Sequence, residues 1–229
     1  MKLFLGLPIY GAMDAQFAQC LINLHLDPPC DEFLVNPNVG DSLVSRSRNT
    51  ITANFLATDA THLLWLDSDL IFSPEHVKRL LSHGKDIVCG FYPKKAQGPL
   101  QWVCNALDGA PAPVQPDGLQ EIKYGGTGFM LIARTVFEQM IERYGAEIGY
   151  IADESKRQEY DFWSVGVYQF PDGTRRFLSE DWFFCQRWRD MGGKVWGDTK
   201  IVCKHRGSVE FPLQTQVAEL GDEPPAIKP

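Results

Sequence analysis

The amino-acid sequence predicts an α/β fold: helices flank a mostly parallel central sheet, and a smaller β region follows in the second half. Apolar strand-like runs alternate with helix-like segments over about the first 90 residues, a spacing typical of βαβ units. The run His62–Leu66 is almost wholly apolar, as in strands buried on both faces of a sheet. The 229 residues, 44% of them hydrophobic, are enough for one domain with a full core.

Clear helix and turn signals divide the first half. Asp27-Pro28-Pro29 ends the first helix, Ser73-Pro74-Glu75 is a typical helix start, and Gly84 follows a helix end. The predicted strands lie at about Lys2–Ile9, Glu32–Val35, Leu63–Leu66 and Asp86–Gly90. The predicted helices lie at about Ala12–Leu26, Ser42–Ala57 and Pro74–Ser82.

The second half is less regular. Asn105–Gln120 is rich in Pro, Gly and Asp and predicts a hairpin-like excursion, while the polar and aromatic segment Tyr150–Phe177 is expected to be mobile or to shape a substrate site. The predicted strands lie at about Gln101–Cys104, Gln120–Tyr124, Phe129–Ala133, Lys194–Trp196 and Lys200–Cys203. The predicted helices run to about Tyr144 and over about Glu180–Met191, the second ending at Gly192-Gly193.

Composition narrows the class of protein. A net charge of −7 without a basic block argues against binding to nucleic acid or anionic membranes. No run approaches the roughly 18 apolar residues of a transmembrane helix, and Pro8 and Asp14 favour a first strand over a signal peptide. Six cysteines without a Cys-x-x-Cys pair indicate reduced thiols and a cytoplasmic location. We expect one domain over residues 1–220 and a tail over 221–229.

Asp67 and Asp69 directly follow the buried strand of the first half. In parallel α/β sheets ligands bind at the carboxyl ends of the strands, where these two carboxylates fall. Two hard oxygen ligands there can hold a divalent cation that is also bound by a substrate's phosphates. Aspartates also cap helices or sit in surface turns, but the next helix already has its own start at Ser73.

Arg48 lies on a predicted helix face between apolar residues. Val44, Ile51 and Phe55 share its face by helical spacing, so its guanidinium group points inward and needs an anionic partner. A bound diphosphate is one candidate for that partner. An internal ion pair with a core acid, or an arginine that reaches the surface, is the alternative.

Glu180 and Asp181 open the last predicted helix. Acids in a first helical turn complement the helix dipole, so a structural role is a serious alternative for both. Asp181 nevertheless shares a face with the apolar residues Phe184, Cys185 and Trp188, which directs its carboxylate toward the interior or a cleft.

A set of motifs in fixed order resembles a known family. The chain carries Leu7-Pro8-Ile9-Tyr10-Gly11, Ser45-Arg46-Ser47-Arg48-Asn49, Leu64-Trp65-Leu66-Asp67-Ser68-Asp69, Asp86–Lys95, Gly126-Thr127-Gly128-Phe129, Ser179-Glu180-Asp181-Trp182 and Lys204-His205. This order resembles nucleotide-sugar glycosyltransferases of the GT-A fold, a Rossmann-like single domain. The resemblance covers roughly residues 2–206.

The resemblance implies a role for each motif. A nucleoside-diphosphate sugar, most often a UDP-sugar, would bind the half over residues 1–95, and the acceptor the half over 96–206. Mn²⁺ or Mg²⁺ would be held by Asp67, Asp69 and His205, and Asp181 would be the catalytic base of an inverting transfer, with Glu180 beside it. The implied donor-binding residues are Pro8, Tyr10, Arg46, Arg48, Asn49, Asp67, Ser68, Asp69 and Gly126.

Other functions fit part of the pattern. A haloacid-dehalogenase-type phosphatase also runs an apolar strand into Asp-x-Asp, although near its N-terminus. A nucleotidyltransferase would use paired aspartates and a metal, and a nucleotide-sugar-binding module could lack catalysis altogether. The sequence leaves open the donor sugar, the stereochemistry of transfer and the oligomeric state. It also leaves open the acceptor, for which a glycan, a protein, a small molecule and a modified nucleobase are all candidates.

Overall fold

A computed structural model describes residues 1–96, 99–153 and 155–207. The predicted domain end at residue 220 and the predicted tail 221–229 lie outside the described residues. In the described part, no helix is long and apolar enough to cross a membrane.

The described residues form five helices and fifteen strands. The helices are α1 (Ala15–Leu26), α2 (Val44–Leu56), α3 (Pro74–Ser82), α4 (Arg134–Ile148) and α5 (Glu180–Asp190). The strands are β1 (Lys2–Ile9), β2 (Glu32–Val39), β3 (His62–Leu66), β4 (Leu70–Ile71), β5 (Ile87–Phe91), β6 (Cys104–Asn105), β7 (Leu119–Ile122), β8 (Tyr124–Gly125), β9 (Phe129–Ala133), β10 (Gly149–Ile151), β11 (Gln158–Tyr160), β12 (Gly166–Gln169), β13 (Arg175–Leu178), β14 (Val195–Val202) and β15 (Lys204–His205).

The central sheet has seven strands in the order β2-β1-β3-β9-β5-β14-β7. Strands β1, β2, β3, β5 and β14 run in one direction, while β9 and β7 run against them. The predicted α/β class with a mostly parallel sheet is therefore confirmed, and β9 is an antiparallel strand inserted at its centre.

Helices cover both faces of the sheet, so the core lies in two layers. Helices α2, α4 and α5 pack on one face around residues such as Phe55 and Trp65. Helices α1 and α3 pack on the other face around residues such as Phe17 and Leu64. Because β3 is buried from both sides, its residues Leu63–Leu66 are fully inaccessible, as the apolar run predicts.

Several predicted boundaries are wrong for identifiable reasons. Strand β2 continues to Val39 because it pairs in register with the whole length of β1, although its apolar pattern stops at Val35. Helix α1 begins at Ala15 rather than Ala12, because the Asp14 side chain accepts hydrogen bonds from the first-turn amides.

The second half of the chain also departs from prediction. The two strands expected after α5 form one strand, β14, with an irregularity between Asp198 and Val202. Around the segment Tyr150–Phe177, for which the sequence predicts no strands, β10 pairs with β11 and β12 with β13. The mobile or substrate-shaping role of this segment stays a prediction. The excursion Asn105–Gln120 is closed by pairing of β6 with β8, and the strand expected at Gln101–Cys104 is reduced to β6.

Candidate functional site

The carboxyl ends of the parallel strands β2, β1 and β3 meet at one edge of the sheet and form an open cleft of about 220 Å³. Strand β1 contributes Pro8 and leads into Tyr10, β2 is followed by Asp41, and β3 leads into Asp67–Asp69. Tyr10 is 73% exposed, so its ring is available at the rim and is not part of the core. The cleft therefore lies where an α/β sheet is expected to bind a ligand.

His205 reaches this edge through a short strand pair. Strand β15 pairs antiparallel with β4, so that His205 lies opposite Leu70, next to Asp69. The Arg206 amide donates to the Asp69 carbonyl at 2.8 Å and fixes the same register. A late histidine is thus held beside the strand-end carboxylate by main-chain pairing.

The His205 ring is oriented by a backbone carbonyl. Its Nδ1 lies 2.8 Å from the Pro93 carbonyl oxygen, which can only accept a hydrogen bond, so Nδ1 carries a proton. In the neutral ring Nε2 then has a free lone pair, and it faces Asp69 Oδ1 at 3.4 Å. Two acceptors at that distance need a proton or a cation between them. A carbonyl on the far nitrogen is also the usual support of a metal-binding histidine.

Asp69 lies between a lysine and a histidine. Its Oδ2 accepts from the Lys95 ammonium group, while the buried Oδ1 accepts no hydrogen bond from any described residue. Burial by itself would raise the pKa of Asp69, but His205 and Lys95 outweigh it and lower the pKa below its usual value. Asp69 is therefore ionised at neutral pH.

Asp67 is held by an ion pair with Arg48. The Arg48 Nη2 donates to Asp67 Oδ1 at 2.9 Å, and its Nε lies 3.6 Å from Glu180 Oε1. The guanidinium carbon lies 5.0 Å from the Trp65 ring centroid. Burial would lower the pKa of Arg48, but the charges of Asp67 and Glu180 outweigh it and raise the pKa.

Arg48 is only 2% exposed, and it is among the cleft-lining residues. Its Nε and Nη1 groups donate no hydrogen bond to any described residue, which is costly for a buried guanidinium group. The predicted burial of Arg48 is confirmed. The structure is compatible with both predicted partners, because Arg48 forms an internal ion pair and has N–H groups that donate to no described residue. Val44, expected to share its buried face, is instead exposed at the cleft rim.

Asp181 lies at the start of α5, with the buried Phe184 and Cys185 on its inward side. Its Oδ1 accepts from the Trp182 amide at 2.9 Å and from the Ser179 hydroxyl. Burial, and then the charge of Glu180, raise its pKa from 3.8 to about 6. A carboxylate with that pKa accepts a proton far more readily than an ordinary surface aspartate.

Glycines of the Gly125–Gly128 loop are required by close packing against Tyr92. The Tyr92 hydroxyl accepts from the Gly128 amide at 2.9 Å. A Cβ atom at Gly128 would lie 2.7 Å from that hydroxyl and 3.0 Å from Asp67 Oδ2, and one at Gly126 would overlap Tyr92 even more closely. This loop therefore lies directly behind Asp67.

A divalent cation fits Asp69 and His205 but finds little further protein ligation. Octahedral Mg²⁺ has ligands at about 2.1 Å, which places adjacent ligands about 3 Å apart, close to the 3.4 Å between Asp69 Oδ1 and His205 Nε2. No group of three or more metal-binding side chains occurs among the described residues. The predicted third ligand, Asp67, is instead engaged with Arg48. Such a site would complete its coordination with water and substrate phosphates.

Not every predicted donor-binding residue reaches the cleft. Asn49 is buried, where it donates to Asp161 Oδ1 at 2.8 Å and accepts from the Trp163 amide. Asn49 thus ties α2 to the segment before β12. Arg46 is not among the cleft-lining residues, but it forms a two-point ion pair with Asp41, which is one of them. Gly126 packs behind the site against Tyr92 and also lies outside the cleft lining.

Sequence reasoning missed two residues of the site, Tyr92 and Lys95. Both follow β5, whose carboxyl end meets the same sheet edge as that of β3. The run Phe91-Tyr92-Pro93-Lys94-Lys95 directly after a buried strand was the available signal.

Comparisons with known proteins give a fold and no family. No family model matches the chain, and no curated protein matches it. Among solved structures, the crystal structure of A197 from STIV matches 90% of this chain and 85% of its own, with a TM-score of 0.52 and 18% identity. At that identity the likeness extends to the fold alone, and it agrees with a large mixed α/β domain.

Proposed function

We propose that this protein is a metal-dependent glycosyltransferase of the GT-A fold. It moves a sugar from a nucleoside-diphosphate sugar, first of all a UDP-sugar, to a hydroxyl acceptor. The single observation that supports this most is the facing pair Asp69 Oδ1 and His205 Nε2 at the sheet edge. The buried Arg48, with unused donors in the same cleft, supports an anionic ligand.

The donor would be bound by a cation and an arginine acting together. Asp69 and His205 would hold Mn²⁺ or Mg²⁺, which supplies Lewis-acid stabilisation of the departing diphosphate. Arg48 would donate its free Nη1 to a phosphate oxygen, while its Nη2 keeps the Asp67 carboxylate in place. Because few protein ligands hold the cation, we expect the bound metal to raise the affinity for the donor and the bound donor to raise the affinity for the metal.

Asp181 would remove the proton from the acceptor hydroxyl as that oxygen attacks the anomeric carbon. Its pKa of about 6 leaves it ionised at neutral pH yet basic enough to act. Glu180 would shape the acceptor site, and its ion pair with Arg48, at 3.6 Å, would connect that site to the donor side. A displacement of this kind inverts the anomeric configuration.

The alternatives differ in the product released. A haloacid-dehalogenase-type phosphatase needs Asp67 as nucleophile, but the Arg48 hydrogen bond to its Oδ1 reduces its nucleophilicity. A nucleotidyltransferase would release pyrophosphate, and an inactive binding module would release nothing.

We also propose a cytoplasmic location, because all six cysteines are free thiols.

Calorimetry tests the donor site. UDP should bind measurably in Mn²⁺ and at least about tenfold more weakly in EDTA, a difference of about 1.4 kcal/mol. The Asp69→Asn variant should remove the dependence on metal. Equal affinity for UDP in Mn²⁺ and in EDTA would contradict the metal-bridged site.

A further inference from the structure

We propose that the Lys95 ammonium group takes the place of the divalent cation at Asp69 in the metal-free protein, and transfers to a ligand phosphate when the metal binds. This proposal rests on the proposed metal site. Lys95 Nζ contacts Asp69 Oδ2, while Oδ1 of the same carboxylate faces His205 Nε2. The carboxylate therefore has one oxygen on an ammonium group and the other on the histidine.

A metal ion and Lys95 cannot both keep their best positions at this carboxylate. A cation bound between Asp69 Oδ1 and His205 Nε2 would stand beside the ammonium group on Oδ2 of the same carboxylate, and the two positive charges would repel each other. The Lys95 side chain is about one-third exposed and has a flexible four-carbon stem, so it can move at little cost. Its backbone is anchored one residue earlier, where the Lys94 amide donates to the Gln101 carbonyl at 2.7 Å.

The displaced ammonium group needs a new partner. Among the described residues, Asp69 is the only acid that forms an ion pair with Lys95. A diphosphate bridged to the same cation would present anionic oxygens within reach of the lysine. Lys95 would then exchange a carboxylate for a phosphate and act as a positioning residue for the ligand.

The exchange predicts effects of opposite sign in one variant. Removing the charge in Lys95→Met should tighten binding of Mn²⁺ alone by about three- to tenfold, because the competitor is gone. The same variant should weaken binding of UDP at saturating Mn²⁺ by a similar factor. A purely structural lysine would weaken both, and a simple competitor would strengthen both.

Two controls isolate the contact. Lys94→Met removes the same charge from the preceding residue and should leave both affinities within about twofold. Lys95→Arg keeps the charge and should behave as the wild-type chain toward Mn²⁺. Free Mn²⁺ is measured by electron paramagnetic resonance in titrations of the full chain, with and without UDP.

Each outcome decides between the proposals. Tighter Mn²⁺ binding with weaker UDP binding in Lys95→Met, absent in Lys94→Met, supports the exchange. Unchanged or weaker Mn²⁺ binding in Lys95→Met overturns it, and the metal site itself stands if wild-type Mn²⁺ binding is lost in Asp69→Asn. If neither wild-type nor Lys95→Met binds Mn²⁺ even with UDP, both the exchange and the metal site are wrong.

Discussion

Replacing Asp181 with asparagine should make the protein more stable at neutral pH while it lowers turnover by about 10²–10⁴-fold. The Asp181 carboxylate is largely, though not fully, withdrawn from solvent and lies beside the charge of Glu180, and both effects raise its pKa from 3.8 to about 6. An acid with a raised pKa in the folded state favours the protonated form there, so its ionisation opposes folding. Asparagine has nearly the same shape and carries no charge.

The size of the effect follows from the shift. A shift of about two pKa units corresponds to about 3 kcal/mol at most, since each unit is worth 1.36 kcal/mol. Solvent contact of the partly exposed carboxylate reduces this to about 1–3 kcal/mol. The folded state binds more protons than the unfolded state between about pH 4 and 6, so wild-type stability falls as pH rises through this window.

Urea unfolding at several pH values measures the effect. The advantage of Asp181→Asn over wild type should be well under 1 kcal/mol at pH 4 and should reach about 1–3 kcal/mol at pH 8. Turnover by the wild-type chain should rise between about pH 5 and 7 as Asp181 ionises, and the variant should lose about 10²–10⁴-fold. If the variant is no more stable than wild type at pH 8, or if its advantage does not change with pH, the pKa of Asp181 is not raised in the folded protein.

Three further substitutions test other parts of the site. Arg48→Lys keeps the charge but loses the planar guanidinium group that can donate two parallel hydrogen bonds. The affinity for UDP in Mn²⁺ should therefore fall, and the free energy of unfolding should drop by about 1–3 kcal/mol. Unchanged affinity for UDP would favour a purely structural ion pair. His205→Gln should weaken Mn²⁺ binding at least about tenfold in titrations, whereas the control His25→Gln on the last turn of α1 should not. Gly128→Ala places a methyl group 2.7 Å from the Tyr92 hydroxyl and should lower the free energy of unfolding in urea by about 1–3 kcal/mol. The control Gly166→Ala, whose methyl group meets nothing within 4 Å, should change that free energy by less than about 0.5 kcal/mol.

The sequence predicts those features of the fold and site that depend on local periodicity. The uniform apolar character of Leu63–Leu66 predicts a strand buried on both faces, and the structure confirms it. Helical spacing correctly predicts that Arg48 is buried and that Asp181 points inward. The same rule fails for Val44, the first residue of α2, because the first turn of that helix projects into the cleft rim.

Features that depend on pairing between distant segments are not predictable in this way. The antiparallel direction of β9 has no signature in its own five residues, since an apolar run fits either direction. Strand β2 extends past its apolar residues only because β1 offers partners along its whole length. The contact of Lys95 with Asp69 joins two loops that follow different strands, and only the order of strands in the sheet brings them together.

The identity of the released nucleotide distinguishes a metal-dependent glycosyltransferase from the alternative enzymes. The protein is incubated with a panel of nucleoside-diphosphate sugars in Mn²⁺ or in EDTA, and the nucleotide products are separated by chromatography. We expect release of the nucleoside diphosphate from at least one donor in Mn²⁺ only, with release lost in Asp181→Asn while that variant still binds UDP. Release of pyrophosphate or inorganic phosphate, equal release in EDTA, or no release from any donor would contradict this expectation.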